Sequence, residues 1–224
     1  MRVKNRVALI TGASRGIGSA IADYFLKEGA KVLAPSHKEL DLSSDESVDD
    51  YLVSLNEEVD IIVNNAGINP LGDITELKDP DIEDTLRINL ISPMRLIRGL
   101  VKPMINKKYG RIVNISSIWG SVSKPRRLIY SASKAGLNAI TGALAVELSQ
   151  HNILTNAVAP GFVNTELTKQ NNTEDELKAI ASNLPIGRLA EPEEIAGVVT
   201  FLCSSKNTFI TGQVILADGG FSCL

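Results

Sequence analysis

Short apolar runs rich in β-branched residues alternate along this chain with longer stretches of helical period, and few architectures accept that alternation. Parallel neighbours need a crossover of a dozen or more residues, usually a helix, so the pattern predicts an α/β fold with a parallel sheet. Strands are expected at 6–11, 31–34, 60–64, 111–116, 154–159 and 213–217, with a stub at 40–42. Helices are expected at 17–28, 44–56, 82–101, 128–150, 173–183 and 192–203. This makes a mostly seven-stranded, doubly wound sheet with helices on both faces. Ser43, with Glu46 three residues on, reads as a capping box for the second helix. No repeat, low-complexity tract or linker divides the chain, so residues 1–224 are expected to form one domain.

Composition excludes several classes of function. Lysine and arginine total 23 against 26 acids, a net charge of −3 with no block of one sign, so the electrostatic footprint of a nucleic-acid binder is missing. Aromatic residues at 4% are too few for a base-stacking surface. Cys203 and Cys223 fall in no metal-ligand spacing and cannot staple a chain of this length, and no metal site is expected. No apolar run approaches a membrane span, and a reduced, cytoplasmic protein is the natural expectation.

A glycine cluster, Thr11-Gly12-Ala13-Ser14-Arg15-Gly16-Ile17-Gly18, follows the first strand and opens the first helix. In that setting the missing Cβ atoms let the backbone approach a pyrophosphate, whose charge meets free N–H groups at the helix start. The spacing is G-x-x-x-G-x-G rather than the commoner G-x-G-x-x-G.

That spacing resembles the short-chain dehydrogenase/reductase family, and further matches follow in order. Asn64-Asn65-Ala66-Gly67 resembles the family's N-N-A-G. Residues 112–117 resemble the strand that delivers its serine, and Tyr130-Ser131-Ala132-Ser133-Lys134 its Y-x-x-x-K. Pro160-Gly161-Phe162-Val163-Asn164-Thr165 resembles P-G-x-x-x-T, and Asp218-Gly219-Gly220 the closing strand. The resemblance covers nearly the whole chain, is closest in overall pattern to 3-oxoacyl-acyl-carrier-protein reductase-like members, and implies a single Rossmann domain. It also implies a nicotinamide cofactor held by Gly12, Ser14, Arg15, Gly16, Ile17, Gly18, Ser36, Asp41, Leu42, Asn65, Ala66, Gly67, Tyr130, Lys134, Pro160, Gly161, Val163 and Thr165.

The chemistry of the implied catalytic residues is consistent with hydride transfer between a ketone and a secondary alcohol. Tyr130 and Lys134, four apart, share a helix face, and a nearby ammonium is expected to draw the phenol pKa down toward neutrality. Tyr130 would then serve as general acid in reduction and general base in oxidation. By resemblance, Lys134 also binds the nicotinamide ribose. Ser117, thirteen residues before Tyr130, would hold the substrate oxygen, with Ser116 as the competing candidate. Asn89 matches the family's fourth catalytic residue. Pro93 lacks the N–H that would pair with the Asn89 carbonyl in an α-helix, so a kink is expected there.

For the cofactor, Ala34-Pro35-Ser36-His37-Lys38 offers no acid until Glu39, and Arg15 stands where NADP-preferring relatives often carry a base, so NADP(H) is favoured over NAD(H). The stretch from Ala34 to Asp41 is too short for the helix that usually separates strands two and three. Lys124-Pro125-Arg126-Arg127, between Ser117 and Tyr130, places three cations near the implied substrate entrance. They suggest an anionic or carrier-linked substrate, a solvated basic turn being the alternative. Lys107, Lys108 and Arg111 form a second basic group, resembling the region where carrier-protein reductases meet their partner. Residues 166–190 are expected to form a lid, and the resemblance implies a homotetramer or homodimer. A nucleotide-sugar or sugar-acid keto reductase is the alternative enzyme; a non-catalytic NAD(P)-sensing protein is the alternative of another class.

Overall fold

The structure, a computed structural model, describes residues 3–224. Its centre is a parallel sheet of six strands, β1 (Val7–Ile10), β2 (Lys31–Leu33), β3 (Ile61–Asn64), β4 (Gly110–Ile115), β5 (Ile153–Pro160) and β6 (Val214–Ala217). They lie in the order β2-β1-β3-β4-β5-β6. Around it are α1 (Gly16–Lys27), α2 (Asp45–Ser54), α3 (Asp79–Leu86), α4 (Ser92–Lys107), α5 (Leu128–Leu148), α6 (Glu166–Gln170), α7 (Glu174–Asn183) and α8 (Pro192–Cys203).

Strand side chains alternate between two faces, and each face has its own core. Ala8, Ile10, Ile61, Val63 and Val113 pack with Ile21 and Phe25 of α1 and Ile195, Val199 and Leu202 of α8. Leu9, Ile62 and Ile112 pack instead with Leu96, Ile97, Leu100 and Met104 of α4 and Leu148 of α5. With both faces covered, β3, β4 and β5 are buried along their full length, the polar Asn64, Arg111, Asn114, Thr155 and Asn156 included. Strand β2 lies on one side of β1 and β3 on the other, so the winding reverses at β1, and the crevice of such a sheet opens beyond the carboxyl ends of these strands.

Three expectations need correction. No strand forms at 40–42, so the sheet has six strands rather than seven. The N–H groups of Glu39 and Leu40 both donate to the Ser36 carbonyl, closing a turn that satisfies the backbone locally, while Leu40 and Leu42 bury their side chains beside Val48. Helix α2 is capped one residue later than expected: Ser44 Oγ accepts from Ser47 N at 3.2 Å. Ser43 instead donates from N and Oγ to Asp41 Oδ1, at 2.8 and 2.7 Å. The expected helix at 82–101 is two helices, α3 and α4, joined by a π-helical turn over Arg87–Ile91 whose closing bond runs from Ser92 N to Arg87 O. Pro93, with no N–H to give, stands just beyond it, in keeping with the kink expected around Asn89.

Among the described residues no helix is long and apolar enough to cross a membrane.

Candidate active site

A cleft of about 520 Å³ opens beyond the carboxyl ends of β1, β3, β4 and β5. The glycine turn forms one wall. Gly12 has φ +65°, a conformation that favours glycine, and a Cβ built on Gly18 would fall 2.2 Å from the Gly12 carbonyl oxygen. Gly12, Ser14, Arg15, Gly16 and Ile17 line the cleft, whereas Gly18 lies beneath the turn and lets it close. Asn65 fixes the opposite side: its Nδ2 donates to the carbonyls of Thr11 (2.9 Å) and Gly12 (3.0 Å). Thr11 Oγ1 accepts from the N–H groups of both Asn65 and Ala66, at 3.0 and 3.1 Å. This close-packed cradle at a helix start, with Gly12 and Gly16 in its lining, fits the pyrophosphate of a dinucleotide.

Farther along, Ser36, His37 and Leu42 line the cleft, but Asp41 does not. Its carboxylate is engaged by Ser43, and those hydrogen bonds hold its pKa below the usual range. Arg15 is exposed and its Nη1 lies 2.7 Å from Glu166 Oε2, at the start of α6. Pro160, Gly161, Val163 and Thr165 line the side facing the glycine turn, and Thr165 Oγ1 caps α6 by accepting from Thr168 N at 3.3 Å.

Of the four residues expected to carry chemistry, Asn89 and Lys134 lie beside Gly67. A Cβ built there would lie 3.0 Å from Asn89 Oδ1 and 3.5 Å from Lys134 Nζ. Asn89 is fully buried and does not line the cleft; its amide pairs twice with the backbone of Ile68, accepting from N and donating to O, both at 2.9 Å. Asn89 Nδ2 also donates to Ser133 Oγ at 3.0 Å, which ties the π-turn to α5. Lys134, 3% exposed, donates from Nζ to the Ile115 carbonyl at 2.7 Å and lies 5.6 Å from the Tyr130 ring centre. Burial lowers its pKa to about 8.

Ser117 and Ser116 diverge. Ser117 Oγ lines the cleft with Tyr130 and accepts from Trp119 N at 3.2 Å, whereas Ser116 Oγ is directed to the Lys134 carbonyl at 3.4 Å. The phenol corrects one expectation. Its pKa is raised, because burial outweighs the opposing effects of Ser117 and of the positive charge of Arg127.

The two basic groups are also less uniform than their sequence suggests. Lys107 is paired with Glu58 (3.0 Å) and Asp60 (3.2 Å). Arg111 is buried, donating to the carbonyls of Gly110, Asn152 and Asn207. That group is structural and does not present three free cations. In the other, Lys124 and Arg126 are exposed while Arg127 is buried at the cleft. Sequence reasoning missed Trp119 and Thr11 in the cleft lining; Thr11 was marked only by its place next to Gly12, and Trp119 by being the chain's single tryptophan.

Comparison with known proteins decides the family. The model described as enoyl-(acyl carrier protein) reductase matches residues 34–222, and the one described as short chain dehydrogenase matches residues 6–48. The chain belongs to the short-chain dehydrogenase family. It is an NAD(P)-dependent oxidoreductase by that membership. Among curated short-chain dehydrogenase relatives, a 3-oxoacyl-[acyl-carrier-protein] reductase of Rickettsia typhi is 40% identical, with 96% of each chain covered. The reductase of the same name from Vibrio harveyi is 35% identical over 98% of each. Among solved structures, a putative NAD(P)-dependent gluconate 5-dehydrogenase of Beutenbergia cavernae with bound NADP has a TM-score of 0.95 at 31% identity, covering 100% of this chain and 99% of that one. A 4-hydroxyisoleucine dehydrogenase complexed with NADH has a TM-score of 0.93 at 30% identity, covering 98% and 100%.

Proposed function

We propose that this protein is an NADP(H)-preferring ketone reductase or secondary-alcohol dehydrogenase in which Tyr130 is the general acid and base. The observation that carries the reading is that Ser117, Tyr130 and Lys134 line the same cleft that begins with the glycine turn. A bound nicotinamide supplies or accepts the hydride. Tyr130 gives its phenolic proton to the carbonyl oxygen as that oxygen becomes an alcohol, and takes it back in the reverse direction. Ser117 donates to the same oxygen while negative charge develops on it. Lys134 spends one N–H on Ile115, which leaves two donors for the nicotinamide ribose hydroxyls. Asn89 positions Lys134 and the 66–68 segment through its pairing with Ile68 and Ser133.

The segment 166–190, which contains α6 and α7, is proposed as the lid, and a homodimer or homotetramer in the cytoplasm as the working form. Val146, on α5, is 86% exposed, an apolar side chain that such an assembly would cover. Preference for NADP(H) is supported by Arg15 and by the missing acid between Ala34 and Lys38. A 3-oxoacyl thioester is supported by the names of the curated relatives, a hydroxy acid or sugar acid by those of the structural neighbours. The test is oxidation of NADPH, and separately NADH, with 3-oxoacyl thioesters, carboxylated ketones and nucleotide-linked keto sugars. Turnover of any of them, faster with NADPH, is the expected result. Nucleotide binding with no turnover would favour a sensor.

A further inference from the structure

Arg127 is 4% exposed, yet its guanidinium forms no ion pair and no hydrogen bond among the described residues: Nε and Nη1 are shut off from solvent without a partner. Buried charges in proteins are otherwise paired, because removing a guanidinium from water is costly. The other deeply buried arginine, Arg111, follows that rule with three carbonyl acceptors. The groups around Arg127 supply no counter-charge. Its Cζ lies 6.0 Å from the Trp119 ring centre, Lys124 Nζ lies 5.5 Å from the same ring, and the ionisable groups that act on it are Tyr130, Arg126 and Lys124. No carboxylate is among them.

Arg127 borders the cleft, as do Trp119 and Phe162. Trp119, Phe162 and Phe221 pack edge-to-face, with ring centres 5.8–6.1 Å apart, and form an apolar wall on which the guanidinium rests. Beside such a wall an ion pair is screened little. Tyr130 follows Arg127 by three residues, about one helical turn, so the two side chains serve neighbouring points of the same cleft.

We propose that Arg127 is the counter-ion for an anionic group, a carboxylate or a phosphate, carried by the substrate itself within a few bonds of the carbonyl that Tyr130 protonates. The proposal rests on that reading of Tyr130 and narrows it. A substrate whose only anion is the distant phosphate of a phosphopantetheine arm does not meet the requirement, since that phosphate lies many bonds from the thioester. A small keto or hydroxy acid, or a phosphorylated one, does. Arg127 is thus a specificity residue, and Lys124, outside it, adds a second positive charge at the entrance.

Calorimetric titration tests this without requiring turnover. Succinate, inorganic phosphate and uncharged succinamide are titrated into the protein with saturating NADP+ and again without it, using wild type, Arg127→Met and Arg127→Lys. At least one anion should bind wild type while succinamide does not, and Arg127→Met should weaken that anion about tenfold or more. Arg127→Lys should recover part of the loss, because the ammonium keeps the charge but not the planar fork. Which anion binds tells carboxylate from phosphate. Nucleotide affinity should be unchanged in both variants. Arg127→Met should melt no lower than wild type, since no intramolecular bond is lost, and the anion should raise the melting temperature of wild type most, of Arg127→Lys less and of Arg127→Met least. Should Arg127→Met fail to fold, the lysine variant carries the comparison. Equal anion binding by wild type and variants, or no binding of either anion to wild type, overturns the proposal. A protein that binds the anion through Arg127 but reduces no ketone would instead fail the hydride-transfer reading.

Discussion

Arg15 Nη1 and Glu166 Oε2 lie 2.7 Å apart, joining the glycine turn to the first residue of α6 across the mouth of the cofactor cleft. Both side chains are well exposed, so the pair itself contributes on the order of 0–1 kcal/mol. Charge-assisted hydrogen bonds to a 2′-phosphate are worth about 1.5–3 kcal/mol, so the phosphate should win the guanidinium from Glu166. Arg15→Ala should therefore weaken NADPH about tenfold or more while changing NADH by no more than about twofold. Glu166→Gln, which frees Arg15, should tighten NADPH by up to about fivefold. Nucleotide titration followed by fluorescence measures both. Equal losses for the two nucleotides in Arg15→Ala would show that Arg15 does not meet the 2′-phosphate.

Gly18 sets helix propensity against packing. It lies in α1, where alanine is worth about 1 kcal/mol more than glycine on propensity alone. The added Cβ would fall 2.2 Å from the Gly12 carbonyl oxygen and 2.4 Å from Asn65 Nδ2, neither of which can move without opening the glycine turn. Overpacking costs of about 1–3 kcal/mol, together with the lost Asn65 bonds, exceed the propensity gain. Gly18→Ala should lower stability in urea by about 2 kcal/mol and reduce nucleotide affinity about tenfold. Unchanged stability and affinity would mean that the turn is looser than the structure shows.

Lys134 makes stability depend on alkaline pH. Its pKa falls from 10.5 to about 8 on burial. Below pH 8 the ammonium is charged in both folded and unfolded chains, and the folded state bears the full penalty of burying it. Between pH 8 and 10.5 the unfolded chain holds a proton that the folded chain has released, so stability rises with pH, and above 10.5 the penalty is gone. The gain is up to about 3 kcal/mol relative to Lys134→Gln, which has no such proton. Urea melts of both proteins without nucleotide, from pH 7 to 10.5, measure it. A difference between the two that stays flat across this range would show that Lys134 is not desolvated.

The sheet and the glycine turn could be read from the sequence because both are local patterns: apolar runs long enough to be strands, and glycines at fixed offsets after the first of them. Pro93 likewise announced a break near Asn89, since a missing N–H acts within one turn, and the π-turn at Arg87–Ile91 occupies that place. What could not be read depends on contacts between distant parts of the chain. Nothing local ties Arg15 to Glu166, 151 positions away, or Asn89 to Ile68 and Ser133. The run of cations at 124–127 looks uniform, yet Arg127 is buried against Trp119 while Arg126 is exposed. The stub at 40–42 was misread because a leucine pair buried under a turn has the same pattern as a short edge strand.

The central claim is that Tyr130 moves the proton. Tyr130→Phe keeps the ring and its packing but removes the hydroxyl that shares the cleft with Ser117. Steady-state turnover of wild type and Tyr130→Phe should be compared on the ketone that wild type reduces fastest, with nucleotide affinity measured beside it. The account predicts a kcat lower by about a thousandfold or more, with NADP(H) affinity within about threefold of wild type. A Tyr130→Phe variant that keeps more than about a tenth of wild-type turnover would contradict it.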